Sequence, residues 1–379
     1  MTLIIKTRRV KFSSGPFALI RSHPAVLIAC LSLAAATGSP PVAHGASAQT
    51  VGLICTTTNA SPGYTLFSAL TYTNTYLIDI DGQIVHVWRA SLVAANTHYL
   101  RENGNLVRTA DPGSTHFVIG GDAGAVQEFD WDGNLLWEFF YNDENVRSHH
   151  DIALLPNSNI LMIAWEKKTM AEAVAAGRDL LYRRGNPQAY QRGSAVDQKL
   201  YRQYGVHWIA TGLPGAGNIL VFNNGPRPAG AFSTADEFVP PVDAFGVYTL
   251  PAAGMAFGPV TQAWVYTATP ATNLFSGGLS GADRQSNGNT LICEGRSGDF
   301  QEVTVASNLV WQYINPVNNM GPMDQGVVPS GNITFRADRY PPIILYLRAG
   351  ISPPTARWSW IPPPSSNSRL PPDRIPRCS

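Results

Sequence analysis

The sequence predicts an all-β protein, a β-propeller of five to six four-stranded blades with one short helical excursion. Composition is the first observation behind this prediction. Of 379 residues, 34 are Gly and 29 are Pro, and 14% are charged. That balance favours many strands joined by tight turns over a coiled coil or a disordered chain. A recurring turn and a recurring hairpin are the second and third observations.

The recurring turn has an Asn-Gly-Asn type signature and leads into an apolar strand. Gly and Asn tolerate positive φ, so each copy indicates a turn that starts a strand. The repetition predicts one structural unit for every 43 to 71 residues. The final Asn of each copy is Asn105, Asn159, Asn218, Asn289 or Asn332.

The recurring hairpin occupies residues 78–88 and 128–137, with a looser copy at 302–311. In each copy the second strand ends in a Trp, and a ring of that size can pack between neighbouring sheets. Two hairpin signatures make one four-stranded unit, which must stack on others to bury both faces. The spacing favours a propeller blade of roughly 40–50 residues, with a β-solenoid as the alternative.

Three segments divide the chain. Residues 1–48 are expected to be a signal peptide, because five basic residues precede an apolar run shorter than the ~20 residues of a membrane span. A cleavage site follows at residues 46–48, and a lipid anchor at Cys30 or an uncleaved anchor are the alternatives. Residues 49–340 form the propeller domain, with an Ala-rich helical excursion at 168–178. Residues 341–379 contain ten prolines and are expected to be a disordered tail.

Charge and cysteine content narrow the function classes. Without its first 48 residues the chain has 22 basic and 26 acidic residues, which does not favour nucleic-acid binding. The exported chain would have no membrane span and would be secreted or periplasmic. Cys55, Cys293 and Cys378 permit one disulfide in an oxidising compartment, and their pairing stays open. No Cys-x-x-Cys pair exists, and we expect neither a metal nor a cofactor.

Several strings together resemble the arylsulfotransferase family of secreted or periplasmic β-propellers. The resemblance extends from about Tyr76 to Pro316. It implies a six-bladed propeller that moves a sulfuryl group from a phenolic sulfate ester to another phenol without a phosphoadenosine donor. It also implies a histidine nucleophile in the central channel. The matching residues are 149–157, 162–168, 184–190, 206–209, 213–215, 222–225, 280–282 and 287–295.

The chain departs from the family in two places. About one blade is missing between Arg178 and Asp179, so the propeller would be five-bladed or abridged. The resemblance also ends at about Arg339. The missing blade, together with the absence of a third histidine at the predicted channel positions, favours a second hypothesis, an exported propeller without catalytic activity that binds a ligand or a protein partner.

In a propeller, residues that enter the innermost strand of a blade face the central channel. The residue about nine positions before the final Asn of each turn signature should occupy such a place, and these positions give the candidate site residues. These positions are Asn96, His150, His207, Ser280 and Met323, with an extra residue allowed before Asn218. Sulfuryl transfer needs a neutral imidazole as nucleophile, an acid, and cations for the sulfonate oxygens. The catalytic candidates are His149, His150 and His207. The candidates for binding an aryl sulfate and a phenol are Arg227, Arg284 and Asn224.

The predicted geometry places His150 and His207 at one channel within reach of a single sulfate. Structural interpretations stay open for each candidate. Asp151 could orient an imidazole within a loop, His207 could be an ordinary strand residue, and Arg227 or Arg284 could be surface loop residues. A quinone-dependent dehydrogenase is disfavoured, because the sequence has no repeated aromatic docking strips or calcium-site spacing.

Overall fold

The computed structural model describes residues 49–114, 116, 120–167, 169, 182–243, 247–342 and 378. Within these ranges the chain is all-β, as predicted, and its helical content is three short 3-10 turns. These turns are Pro187–Tyr190, Ala195–Asp197 and Ala271–Asn273. The predicted signal peptide lies outside the described residues. So do the helical excursion, apart from Thr169, and most of the tail.

Five antiparallel sheets account for most of the strands, and we number them in chain order. Four of them have four or five strands, which confirms the prediction of repeated four-stranded sheets for that part of the chain. Sheet 3 contributes two strands within the described residues. Sheet 1 is β2 (Tyr64–Ala69), β3 (Thr75–Ile78), β4 (Ile84–Trp88) and β21 (Thr334–Tyr340). Sheet 2 is β5 (Val93–Leu100), β6 (Leu106–Asp111), β7 (Ala125–Phe129) and β8 (Leu135–Phe140).

The remaining sheets follow the same order along the chain. Sheet 3 is β9 (Val146–Leu154) and β10 (Ile160–Glu166). Sheet 4 is β11 (Gln203–Trp208), β12 (Ile219–Asn223), β13 (Thr234–Phe238) and β14 (Trp264–Tyr266). Sheet 5 is β15 (Gly281–Arg284), β16 (Thr290–Glu294), β17 (Asp299–Val303), β18 (Leu309–Ile314) and β1 (Gly52–Thr56), and a small pair joins β19 (Val317–Asn318) to β20 (Gly321–Pro322).

Strands from distant parts of the sequence complete sheets 1 and 5. Strand β21 pairs with β2, and β1 pairs with β18. A disulfide between Cys55 of β1 and Cys378 adds a covalent link to this region. Cys293 is a free thiol that is buried in β16. Among the described residues, no helix is long and apolar enough to cross a membrane.

Five strands, which we call the inner strands, carry most of the contacts between sheets: β21, β5, β9, β11 and β15. Strand β5 contacts β2, β21 and β9 of other sheets, and β15 contacts β11, β12 and β21 of other sheets. Strands β9 and β11 meet through the rings of His150 and Tyr204, whose centroids are 5.6 Å apart. Polar side chains of the inner strands therefore come together between the sheets.

The repeated turn signature has a structural role, which explains why it recurs. The final Asn of three copies donates a side-chain hydrogen bond to a Glu on the third strand of its own sheet. Two of these Glu residues, Glu237 and Glu302, also pair with an Arg of the following sheet. The signature thus ties the turn to the sheet, and the Glu ties one sheet to the next. The Asn–Glu pairs are Asn105–Glu128, Asn218–Glu237 and Asn289–Glu302.

Trp88 and Trp311, two of the three Trp residues of the predicted hairpins, link neighbouring sheets as expected, and Trp264 does so outside the hairpin pattern. The indole N–H of Trp88 donates to the backbone oxygen of Asp130, which belongs to a turn of sheet 2. Trp311 donates in the same way to Ile80 of sheet 1. Trp264 makes the corresponding bond from sheet 4 to a turn of sheet 5. Each bond satisfies a buried or half-buried donor while the ring fills the space between two sheets.

Candidate functional site

A backbone bend in β9 sets the position of the two adjacent histidines. The β9–β10 register jumps between the pairs Ser148–Ala164 and Ile152–Met162, so three residues of β9 face one residue of β10. His150 lies at the centre of this bulge with φ of 50°, in the left-handed region. That conformation costs a residue with a Cβ roughly 1–2 kcal/mol, so neighbouring contacts must hold it.

The two imidazoles form a short hydrogen-bonded chain. His150 Nδ1 lies 2.7 Å from His149 Nδ1, and His149 Nε2 lies 3.1 Å from the Gly120 carbonyl oxygen. A carbonyl oxygen can only accept, so His149 Nε2 carries a hydrogen. When both rings are neutral, His149 Nδ1 accepts and His150 Nδ1 donates. This assignment leaves the lone pair of His150 on Nε2.

Both rings are held in the neutral form. Burial, and after it the neighbouring His149, lower the pKa of His150 to about 4. Burial also lowers the pKa of His149. His150 Nε2 is buried and has no hydrogen-bond partner among the described residues. A neutral imidazole whose basic nitrogen is unused can act as a nucleophile or a general base.

Gly121 packs directly against that nitrogen. A Cβ at Gly121 would lie 2.2 Å from His150 Nε2, which no real side chain could occupy. The carbonyl oxygen of Gly121 accepts from the backbone N–H of His150 at 2.7 Å. It also accepts from Asn96 Nδ2 at 2.8 Å, so the turn around Gly121 is held on both sides. A glycine at this position therefore allows His150 to lie against the turn.

A cavity of about 530 Å³ lies beside this bend. Gly121 and Tyr204 belong both to its wall and to the surroundings of His150. Arg296 is exposed in the wall and makes no ion pair with another described residue. Its apolar lining includes Leu70, Leu279 and Ile333. The cavity thus combines apolar walls with one cation, which suits an anion that has an apolar body.

A second polar cluster lies next to the bend, centred on Arg336 of β21. Its guanidinium donates to Asp151 Oδ2 at 2.5 Å and to the Tyr99 hydroxyl at 2.7 Å. The Tyr99 hydroxyl in turn donates to Asp151 Oδ1 at 2.8 Å. Burial acts to lower the pKa of Arg336, but Tyr99 and the neighbouring carboxylates outweigh it and raise that pKa. Burial raises the pKa of Asp338, two residues along, to about 8.

The structure places His207 at a different level from His150. In β11 the bend that corresponds to His150 is made by Gly205, with φ of 62°, and Tyr204 is the residue before it. The connection between β11 and β12, residues 209–218, has ten residues, whereas the β9–β10 connection, residues 155–159, has five. Counting back from Asn218 was therefore wrong by two residues. His207 Nδ1 faces the Gly205 oxygen at 2.9 Å, and its Nε2 lies 3.5 Å from Asp283.

The same counting misplaced the fifth position, Met323. Its signature copy, around Asn332, leads into β21, which is itself an inner strand. The residue of β21 that corresponds to His150 is Phe335, whose ring lies 5.7 Å from the His150 ring. The counting did hold for Asn96 and Ser280. Asn96 lies in the bulge of β5, and Ser280 has a left-handed φ of 83°.

The two arginine candidates lie in structural contacts. Arg284 is buried, donates to Glu237 at 2.5 Å and to the Gly288 oxygen at 3.0 Å, and stacks over Trp264. Arg227 donates to the Asn223 oxygen and stacks over Phe232. Neither residue lines the cavity beside His150. We therefore interpret both as residues that hold sheet 4 and its neighbours together.

Asn224 lies closer to the cavity than either arginine. It is fully buried and donates to the oxygen of Leu279, a residue of the cavity wall. Asn224 thus supports the wall from behind. The hydroxyl of Ser233 donates to the Asn224 carbonyl oxygen at 2.5 Å, which holds this turn in place.

Sequence reasoning missed Arg336, Tyr204 and Arg296. Arg336 could not be found by counting from a turn signature, because no such signature follows residue 340 in the sequence. A usable pattern was present in Arg336-Ala337-Asp338, where two charged residues two apart face the same side of a strand. Tyr204 needed the true length of the β11–β12 connection. Arg296 lies in a short turn, whose position relative to β9 the sequence does not show.

Comparisons with known proteins give no family assignment. No family model matches the chain, and no curated protein matches it. Solved structures with some similarity include a Bacteroides caccae protein of unknown function, with 13% identity over 68% of this chain and 75% of that chain, and a TM-score of 0.28. A luciferin-regenerating enzyme has 11% identity over 70% and 81%, with a TM-score of 0.29. AztD from Citrobacter koseri has 12% identity over 69% and 83%, with a TM-score of 0.25.

Similarities at this level carry no argument about activity. The resemblance to arylsulfotransferases therefore stays a prediction from the sequence strings.

Proposed function

We propose that this protein is a five-bladed, propeller-like arylsulfotransferase in which His150 accepts a sulfuryl group from an aryl sulfate ester and passes it to a phenol. One observation carries the proposal. His150 presents an unpartnered Nε2 lone pair, and burial keeps its imidazole neutral. That is the state required of a nitrogen nucleophile. The neighbouring cavity has apolar walls for an aromatic ring and Arg296 for sulfonate oxygens.

In the proposed reaction Gly121, which packs on His150 Nε2 in this structure, moves aside, and Nε2 then attacks the sulfur of the ester. The N–S bond forms while the bond from sulfur to the phenolic oxygen breaks, and the electron pair of that bond leaves with the phenolate. Arg296 takes up charge on the sulfonate oxygens. The positive charge on the modified ring is shared through Nδ1–H with His149, which is itself anchored to Gly120. A phenolate acceptor then attacks sulfur and restores the neutral imidazole.

We also propose that the protein works outside the cytoplasm, as the sequence of residues 1–48 predicts. The Cys55–Cys378 disulfide supports this location, because disulfides persist in oxidising compartments. The substrates would then be small aryl sulfates and phenols that reach the protein from the surroundings.

The test is intact-protein mass spectrometry after incubation with 4-nitrophenyl sulfate in the absence of an acceptor. We expect an adduct of about 80 Da, located on His150 by peptide mapping and lost on addition of phenol. His150→Ala should form no adduct. His207→Ala is the matched control, and it should still form the adduct because His207 lies two residues beyond the bend at Gly205. No adduct on the unaltered protein would reject the proposal.

The alternative is a propeller that binds an anionic aromatic ligand without reacting with it. One observation favours it: Arg336 is already paired with Asp151 and Tyr99, which leaves Arg296 as the cation of the cavity. Calorimetry with 4-nitrophenyl sulfate separates the two candidates. Saturable binding with no release of nitrophenol supports the binding protein, whereas release with an adduct supports the enzyme.

A further inference from the structure

We propose that Arg336 is a positioning residue that fixes the orientation of His150 by holding Asp151 across the gap between β21 and β9. The inference rests on the proposed function only in taking His150 as the reactive group. Its test measures the His150 ring directly and needs no sulfuryl transfer. Arg336 touches neither His150 nor the cavity wall in any described contact, so its role is exerted through Asp151.

The left-handed backbone of His150 is the reason that such support is needed. With φ of 50°, His150 is less stable there than in an ordinary strand conformation. On β11 the corresponding bend is made by Gly205, with φ of 62° and no side chain to strain it. Residues flanking His150 must therefore hold the bend. On the N-terminal side His149 is anchored to Gly120.

Asp151 holds the C-terminal side of the bend with both carboxylate oxygens. Its Oδ1 accepts from the Tyr99 hydroxyl at 2.8 Å and from the backbone N–H of Ile152 at 2.8 Å. Its Oδ2 accepts from Arg336 at 2.5 Å. Three donors from three strands therefore fix the Asp151 carboxylate. This also restrains the backbone of the preceding residue, His150. Arg336 supplies the only charged donor of the three, which makes its bond the strongest.

Charge gives Arg336 a second effect on the same carboxylate. Asp151, Asp283 and Asp338 all act on the guanidinium of Arg336. Without that cation, the carboxylates of Asp151 and Asp283 would repel each other across a half-buried space. Asp151 would then turn towards solvent, and the bend at His150 would lose its anchor. Lys could supply the charge but not the planar fork that reaches both Asp151 and Tyr99.

The test is long-range proton–nitrogen NMR of the imidazoles in nitrogen-15-labelled protein, with His150 assigned by comparison with His150→Ala. In the unaltered protein we expect one tautomer, with hydrogen on Nδ1 and a titration midpoint near 4, the value to which burial lowers the pKa of His150. In Arg336→Gln we expect mixed tautomers and a midpoint raised by about 1–2 units towards the ordinary ~6.5. Arg336→Lys should fall between the two.

Arg101→Gln is the matched control. Arg101 also pairs with a carboxylate, Glu128 at 3.1 Å, and its side chain is 17% exposed, as is that of Arg336. This variant loses an ion pair of similar burial in sheet 2, and the His150 signals should not move. A folded Arg336→Gln protein whose His150 tautomer and midpoint match the unaltered protein would overturn the inference.

Tyr99→Phe keeps the inference testable if Arg336→Gln does not fold. It removes one donor from Asp151 without removing a charge, and it should move the His150 midpoint in the same direction by a smaller amount. Unchanged His150 signals in folded Tyr99→Phe would also overturn the inference. The proposed function fails separately: its failure is a protein in which His150 behaves as described but forms no sulfo-adduct.

Discussion

The contact between sheets 5 and 1 and the region around sheet 3 use the same strand framework for opposite purposes. Between sheets 5 and 1, Glu302 is fully buried and accepts from Arg339, Asn289 and the backbone N–H of Ser61. In sheet 3, the strand position that corresponds to Arg339 carries Leu154. The bend that carries a glycine in β11 carries His150 here. One region surrounds a buried carboxylate with three donors, and the other leaves a basic nitrogen without a partner.

This difference teaches where to look for chemistry in a repeated fold. Repeated Asn–Glu, Arg–Glu and Trp contacts use their side chains to join turns and sheets. A strained residue with an unused nitrogen is informative because the surrounding structure supports it at a cost in stability. His150 meets that description, whereas Arg284, which the sequence made equally attractive, belongs to the repeated contacts.

The largest effect we predict comes from Glu302→Ala, which tests the stabilising region. The substitution leaves Arg339 buried without its carboxylate, and breaking such a pair costs about 3–5 kcal/mol in the free energy of unfolding. Glu128→Ala removes the equivalent Glu in sheet 2, where the side chain is 18% exposed and pairs within its own sheet. We expect about 1 kcal/mol there. Urea unfolding measures both, and equal losses would contradict the comparison.

The next effect concerns Gly121, which belongs to the region around His150. Gly121→Ala places a methyl group on His150 Nε2, so we expect the rate of sulfo-adduct formation to fall by about 10²-fold. Gly133→Ala is the matched control for backbone strain. Gly133 has φ of 87° against 89° for Gly121, and an added Cβ there meets nothing within 4 Å. Stopped-flow release of nitrophenol compares the two, and equal rates would show that space at Gly121 is irrelevant.

The sequence predicted the repeated unit well because the unit depends on local residues. Asn105, Asn218 and Asn289 recur because each must start a strand and reach a Glu, and the Trp residues recur because each fills the space between sheets. Positions across the gap between inner strands were harder. Tyr204 was hidden by a connection of unusual length, and Arg336 by a strand that pairs with β2, more than 260 residues earlier. Only the paired register brings such residues together.

The pH dependence of adduct formation is a third and smaller effect. Burial lowers the pKa of His150 to about 4, so the neutral imidazole persists well below the ordinary ~6.5. We expect adduct formation to fall as pH decreases with a midpoint near 4. A midpoint near 6.5 would show that His150 is solvated in solution. The same shift should lower stability as pH falls from about 6.5 towards 4, because unfolded chains bind a proton that native His150 does not.

The smallest effect distinguishes the two regions through a single hydrogen bond. Trp311 is fully buried, and its indole N–H donates to the Ile80 oxygen at 2.9 Å. Trp311→Phe keeps an aromatic ring but leaves that oxygen without its donor, so we expect a loss of about 1–2 kcal/mol in the free energy of unfolding. Trp137 of β8 is half-buried and packs beside sheet 3 against the cluster of Val107, Val126 and Ile152. Trp137→Phe should cost about 0.5 kcal/mol, within the range of partly exposed substitutions. Chemical unfolding of both variants resolves this difference, and a larger loss for Trp137→Phe would mean that the sheet 3 side is held as firmly as the contact between sheets 5 and 1.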